Sequence, residues 1–222
     1  MNNTTLTLKM KRAISELRSG SQIVISDNSF GTSVLLMSAE LIEKESVSKL
    51  SDLALSRPNI ILSNNRCNAI GLQITDQPCS ILIDKKWTMN DILSICMPLT
   101  GHKIPTINGV VAESSKSIIS YSLLILRQSR LLPTSLMSII SNVPPENISH
   151  WAFKNNFIHV DINDIRYYEQ SSAESLVMAV KAKVPIAETE NCEIIIFRPK
   201  DGGDEHFCLV FGKTRQIDKD VE

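Results

Sequence analysis

Apolar positions along the chain change period several times, and each change marks an element. From Leu8 to Ser19, Met10, Ile14 and Leu17 recur at helical spacing among basic and polar residues, and Gly20 stands where a helix C-cap belongs. Ile23-Val24-Ile25 predicts a short buried strand that ends in the turn-prone Ser26-Asp27-Asn28-Ser29. A second apolar run covers Val34 to Met37. Glu40 to Leu55 predicts a helix with Leu41, Val47, Leu50, Leu53 and Ala54 on one face, stopped ahead of Pro58. Asn59 to Leu62 is strand-like, Asn64 to Ile70 a short helix ending at Gly71, and Ser80 to Asp84 another strand. Thr88 is placed to N-cap the helix that follows.

Pro98-Leu99-Thr100-Gly101-His102-Lys103-Ile104-Pro105 is a loop punctuated by Gly and Pro. Lys116 to Gln128 predicts a long amphipathic helix, and beyond Pro133 the run Thr134 to Ser141 predicts a buried strand. Pro144-Pro145 opens a turn before a helix over Asn147 to Asn155, followed by a strand at Phe157 to Val160 and a helix at Ile162 to Glu169. Strands alternating with helices indicate an α+β fold of mixed α/β character. After Gln170 the texture changes. Ser171 to Ala182 is small and mixed, and Glu193 to Phe197 and Phe207 to Phe211 flank Lys200-Asp201-Gly202-Gly203 as a β-hairpin. A lone hairpin is marginal in water. The expected organisation is a main domain over residues 1–170 and an appended segment over residues 171–222.

Composition narrows the function. The 222 residues are 43% apolar, enough for one substantial core, and 23 Lys+Arg nearly balance 24 Asp+Glu. That balance leaves no electrostatic footprint for nucleic acid or an anionic membrane. The polar start lacks the apolar run of a secretory signal, and the apolar-rich stretch Ile118 to Leu126 is too short and serine-rich to span a bilayer. A cytoplasmic protein is expected. Cys67, Cys79, Cys96, Cys192 and Cys208 are scattered, mostly beside apolar residues, and read as free, buried hydrophobes. No C-x-x-C pair occurs, and His102, His150, His159 and His206 are equally dispersed, so no metal motif is present.

The order of pieces carries a resemblance. Glu16-Leu17-Arg18-Ser19-Gly20, Ile23-Val24-Ile25 with its Asp27-Asn28 turn, Met37-Ser38-Ala39-Glu40, and Asn59 to Leu62 come first. Gly101-His102-Lys103-Ile104-Pro105, Leu131-Leu132-Pro133 and Phe157 to Tyr168 follow. This succession resembles the 3,4-dihydroxy-2-butanone 4-phosphate synthase family over roughly Lys9 to Gln170. Ala187-Glu188-Thr189, Glu193 to Phe197 and Asp201 to Lys213 resemble the opening of a GTP cyclohydrolase II domain, a fusion common in riboflavin biosynthesis.

The synthase chemistry implied by that resemblance needs Mg²⁺ held by hard oxygen ligands, a phosphate site, and carboxylates with a histidine to move protons. Aligned on the family, Ser29 stands at an arginine, Phe30 at the metal-binding Glu and Val34 at the substrate-binding Asp. Ile118 stands at the metal histidine, Ile139 at a second essential Glu, and Leu99 at an arginine. No acidic residue lies between Asn28 and Ala39, or between Lys116 and Ser141. The apolar replacements predict a pocket filled by side chains, because unneeded buried charge is costly. His102 remains as a vestigial acid/base group or a loop hydrogen-bonder. Lys116 is either a phosphate contact or a solvated lysine at a helix start.

No catalytic residue, metal ligand or cofactor is therefore expected in this chain. The family's cyclohydrolase zinc cysteines follow the matched segment. The chain stops at Glu222 ahead of them, and the resemblance implies the N-terminal part of a longer GTP cyclohydrolase II polypeptide. It implies a riboflavin-pathway protein whose inactive synthase-like domain is a structural, homodimer-forming module, with a downstream cyclohydrolase domain as partner. The alternatives are a phosphate- or nucleotide-binding regulatory module using His102, Lys103 and Lys116, and an active synthase with relocated catalytic groups.

Overall fold

A computed structural model describes residues 3–72, 76–98, 103–114, 117–185, 192–199 and 205–212. Helix α1 (Asn3–Arg18) packs Met10, Ala13, Ile14 and Leu17 inward. It ends in a Schellman motif: the Gly20 N–H donates to Leu17 O at 3.2 Å and the Ser21 N–H to Glu16 O at 2.9 Å, with Gly20 at φ +82°. The chain then turns into β1 (Ile23–Asp27) and back through β2 (Thr32–Ser38).

The expected helix over Glu40 to Leu55 is divided. A 3-10 turn at Ala39–Leu41 is capped by the Ser38 hydroxyl, which accepts from the Glu40 N–H. The α2 helix proper is Ser46–Ala54. Between them the Ser46 hydroxyl accepts from the Glu43 N–H at 2.8 Å. Serine side chains here compete with the helical ladder for backbone donors, which periodicity does not register.

Strand β3 (Asn59–Leu62), helix α3 (Asn64–Ala69), strand β4 (Cys79–Leu82) and helix α4 (Met89–Cys96) follow close to expectation. Thr88 caps α4 in a full capping box with Asp91. At the other end of α4, the Arg66 side chain donates to the carbonyls of Ser94 (2.7 Å), Ile95 (2.8 Å) and Met97 (2.6 Å). One guanidinium thus satisfies the carbonyls that a helix end leaves open.

A three-residue strand, β5 (Val110–Ala112), went unread in the sequence. Helix α5 (Ile118–Gln128), strand β6 (Thr134–Ile139), helix α6 (Ile148–Lys154), strand β7 (Ile158–Asp161) and helix α7 (Ile162–Glu174) complete the run.

The sheet order is β5-β4-β3-β6-β2-β1-β7, antiparallel except for the parallel β1–β7 pair. Ile23, Ile25, Val34, Leu36 and Met137 meet α1, α5 and the start of α7 on one face. On the other face, Val24, Leu35, Met37, Ile60, Leu62 and Leu136 meet α2, α3, α4 and α6. Helices cover both faces, a three-layer arrangement.

The chain divides into two compact units, Met1–Tyr168 and Glu169–Glu222. The second holds a three-stranded antiparallel sheet of β8 (Leu176–Lys183), β9 (Cys192–Pro199) and β10 (His206–Phe211) in the order β10-β9-β8. The expected hairpin strands pair with Phe207 opposite Ile196 and Leu209 opposite Ile194. The third strand lies in the segment read only as small and mixed. The expected Lys200–Gly203 turn falls outside the described residues. No helix among the described residues is long and apolar enough to cross a membrane.

Replacing Arg66 with Met should destabilise the protein by about 2–3 kcal/mol in urea denaturation, since charged hydrogen bonds to three carbonyls are lost. A change under about 0.5 kcal/mol would show that water replaces the guanidinium without cost.

Candidate functional site

The turn between β1 and β2 carries the positions aligned with the synthase family's acidic loop. Asp27 closes β1 opposite Thr32 and is only 3% exposed. Its Oδ1 accepts from the Ser29 N–H at 2.9 Å, so this carboxylate is tied to the turn. Gly31, at φ +63°, completes the turn, and a Cβ there would meet the Pro145 ring at 3.3 Å. Strand β6 lies along the other side of β2, with Val34 directly opposite Ile139, and the Ile140 N–H donates to Ser33 O at 2.8 Å.

Beside this junction opens a cleft of about 500 Å³, lined by residues 31–33 and 139–145. None of these is charged. Serine, threonine and asparagine oxygens and backbone groups offer hydrogen bonds but no negative charge to draw Mg²⁺ out of its hydration shell. They offer no cation for a phosphate. The residues present do not fit a magnesium site, and none of them transfers a proton at neutral pH. Among the described residues, no group of three or more His, Cys, Asp or Glu is clustered to hold a metal.

The aligned positions divide in two. Val34 is fully buried, and Ile118 packs against the same apolar cluster, beside the buried Ile119 and Leu123. Phe30 is 81% exposed at the turn and Ile139 46% exposed at the end of β6. The expected filling by apolar side chains holds for Val34 and Ile118 and is corrected for Phe30 and Ile139, which stand in solvent. His102, Lys116 and Leu99 lie outside the described residues, while Lys103 is exposed.

A polar chain absent from the sequence reading occupies the free edge of the sheet. Ser149 Oγ lies 2.9 Å from His159 Nδ1, His159 Nε2 lies 2.8 Å from Ser26 Oγ, and Ser26 Oγ donates to Asp161 Oδ2 at 3.2 Å. With the Ser26 proton committed to the carboxylate, its oxygen can only accept. Nε2 therefore carries the ring proton, and Nδ1 accepts from Ser149. Burial first, then the Lys9 ammonium, pulls the His159 pKa below its usual value, against the opposing pull of Asp161 and Asp164. Lys9 itself pairs with Asp164 at 2.6 Å. This chain joins β1, β7, α6 and, through Asp164, α1. The parallel pairing of β1 with β7 assembles it, and periodicity holds no trace of that pairing.

No protein-family model matches the chain. It is 25% identical over 208 residues to the GTP cyclohydrolase-2 of Azospirillum brasilense, covering 90% of this chain. The chain spans about half (52%) of that relative's length. Among solved structures, it resembles a two-domain 3,4-dihydroxy-2-butanone 4-phosphate synthase from A. baumannii. The TM-score is 0.59 at 14% identity, over 91% of this chain and 70% of that one. A 3,4-dihydroxy-2-butanone 4-phosphate synthase in complex with two magnesium ions gives a TM-score of 0.60 at 11% identity, over 74% and 97%. The fold is that of the synthases, with a C-terminal antiparallel sheet segment. The relationship to the synthase and cyclohydrolase proteins holds at the level of the superfamily.

Val34→Asp should destabilise the protein by about 3 kcal/mol or more, because an unpaired carboxylate would sit in the sealed core. Ile139→Glu on the exposed strand end should change stability by less than about 1 kcal/mol. Urea titration of the two variants checks both. For His159, a folded pKa below the unfolded one means that the unfolded chain binds the extra proton as pH falls. Its contribution to stability is therefore intact above about pH 6.5 and is lost as pH drops from there towards the folded pKa. The melting temperature of the wild type should fall more steeply than that of His159→Gln between about pH 7 and 5. Parallel curves would show that the ring titrates normally.

Proposed function

We propose that this chain is a riboflavin-pathway protein in which a synthase fold without synthase chemistry serves as a structural and dimerisation module of a GTP cyclohydrolase II polypeptide. The observation that carries the reading is the uncharged lining of the cleft between the β1–β2 turn and the end of β6. Ribulose 5-phosphate brings a dianionic phosphate, and its enolisation needs a base and a cation beside vicinal oxygens. The described residues that line the cleft supply neither. The sequence relative supports the second half of the reading, since its name is that of a cyclohydrolase while the fold matched here is that of a synthase. A phosphate- or nucleotide-binding regulatory role finds no cation among the described residues that line this cleft.

Purified protein with Mg²⁺ and ribulose 5-phosphate should release no formate above the enzyme-free blank, while an active synthase run in parallel does. Turnover would overturn the reading of Phe30, Val34, Ile118 and Ile139. Sedimentation equilibrium at micromolar concentration should give twice the chain mass, and a clean monomer would remove the dimerisation role. Inorganic phosphate should leave the melting temperature unchanged. A concentration-dependent rise would favour the binding module instead.

A further inference from the structure

Cys67 and Cys79 stand twelve residues apart in sequence, with their sulfurs 2.6 Å apart. Both are fully buried. Cys67 lies on α3 and turns towards the sheet, while Cys79 opens β4 between Leu62 of β3 and Ala112 of β5. A disulfide bond is about 2.05 Å long, so the two atoms need approach by only about half an ångström to bond. The other described cysteines offer no such neighbour. Cys96 is buried with its thiol pushed up to about 12 by desolvation, Cys192 is buried, and Cys208 is exposed on β10.

We propose that Cys67 and Cys79 form a reversible dithiol–disulfide site, oxidised by a small peroxide, that clips α3 to β4. The two thiols are not equivalent. The contact with the Cys79 sulfur lowers the Cys67 pKa, while the Cys79 pKa is pushed up by the same contact and by burial. Cys67 is thus the attacking sulfur and Cys79 the resolving one. The Cys67 thiolate attacks a peroxide oxygen, the O–O bond breaks, and the leaving hydroxide takes up a proton as water. The Cys79 sulfur then attacks the sulfenic sulfur. An S–S bond forms, the S–O bond breaks, and the oxygen leaves with the Cys79 proton as a second water. Two thiols are oxidised by two electrons and one peroxide is reduced to two waters. A small oxidant suits a pair without solvent exposure, and a resolving sulfur already in contact forestalls further oxidation.

The clip has a structural consequence. Ser63, Asn64 and Asn65 at the start of α3, Pro78 just ahead of Cys79, and Arg127 of α5 line one cleft of about 240 Å³. Bonding the two sulfurs ties α3 to the start of β4. This inference is independent of the synthase reading and holds whether or not formate is released.

The test uses the full chain, fully reduced, freed of reductant and exposed to hydrogen peroxide. After quenching and denaturation, alkylation should label three cysteines instead of the five in the sequence. The intact mass should fall by two hydrogens, and a linked Cys67–Cys79 peptide should appear and vanish with dithiothreitol. The oxidised protein should melt roughly 5 °C higher than the reduced one, because the unfolded chain is cross-linked. In Cys208→Ser, which removes the exposed thiol, the same linked peptide should form. Five alkylated cysteines after peroxide, sulfinic acid at Cys67 without a link, or a link that requires Cys208 would each overturn the site. A linked protein with an unchanged melting temperature would overturn the clip.

Discussion

Strand β2 is sealed on both of its faces, and the main unit is arranged around that condition. Of its seven residues only Thr32 keeps partial exposure. Val34 and Leu36 need an apolar cover on one side, which α1 and α5 provide, and Leu35 and Met37 need one on the other, where α2, α4 and α6 pack. A strand enclosed this way must find its hydrogen bonds within the sheet. Pairing with β1 on one side and β6 on the other meets that need. Helix lengths, serine caps and turns all serve to bring apolar faces onto this strand.

The same enclosure separates the positions that align with the synthase family's polar residues. At position 34 the side chain belongs to the core, so an acid there needs partners and solvation that an apolar cluster denies. At position 139, on the paired residue of β6, the side chain is half in solvent, and packing does not dictate its identity. Phe30 is freer still. The aligned positions thus experience different pressures. The described residues that line the cleft beside the β1–β2 turn are all uncharged.

Much of the fold was legible in the sequence because it is written locally. Gly20 ends α1 by a backbone conformation that glycine tolerates, Thr88 caps α4 through its own hydroxyl, and the apolar runs of β1, β3, β6 and β7 have few other uses. The divided α2 region was illegible because Ser38 and Ser46 act through side-chain hydrogen bonds rather than hydrophobic period. Strand β8 was missed because its exposed residues do not alternate. Alignment found Val34 and Ile139 separately, but their direct opposition depends on the β2–β6 register. The Ser149–His159–Ser26–Asp161 chain and the Cys67–Cys79 contact were likewise invisible, since each joins residues from elements that meet only in three dimensions. His102 and Lys116, the two residues retained as candidates, fall outside the described residues, so the geometry neither gathers nor separates them.

The parallel partnership of β1 with β7 also bears on how the chain comes to be folded. Strand β1 meets β2 across a short turn, so that hairpin closes as soon as both strands exist. The other edge of β1 must wait for Ile158 to Asp161, which are made last among the strands of this unit. Until then Ile23, Val24 and Ile25 present unpaired backbone groups on an apolar strand, a template for pairing with a neighbouring chain. During synthesis, the hazard therefore lies at the first strand made, and it ends only when the last arrives.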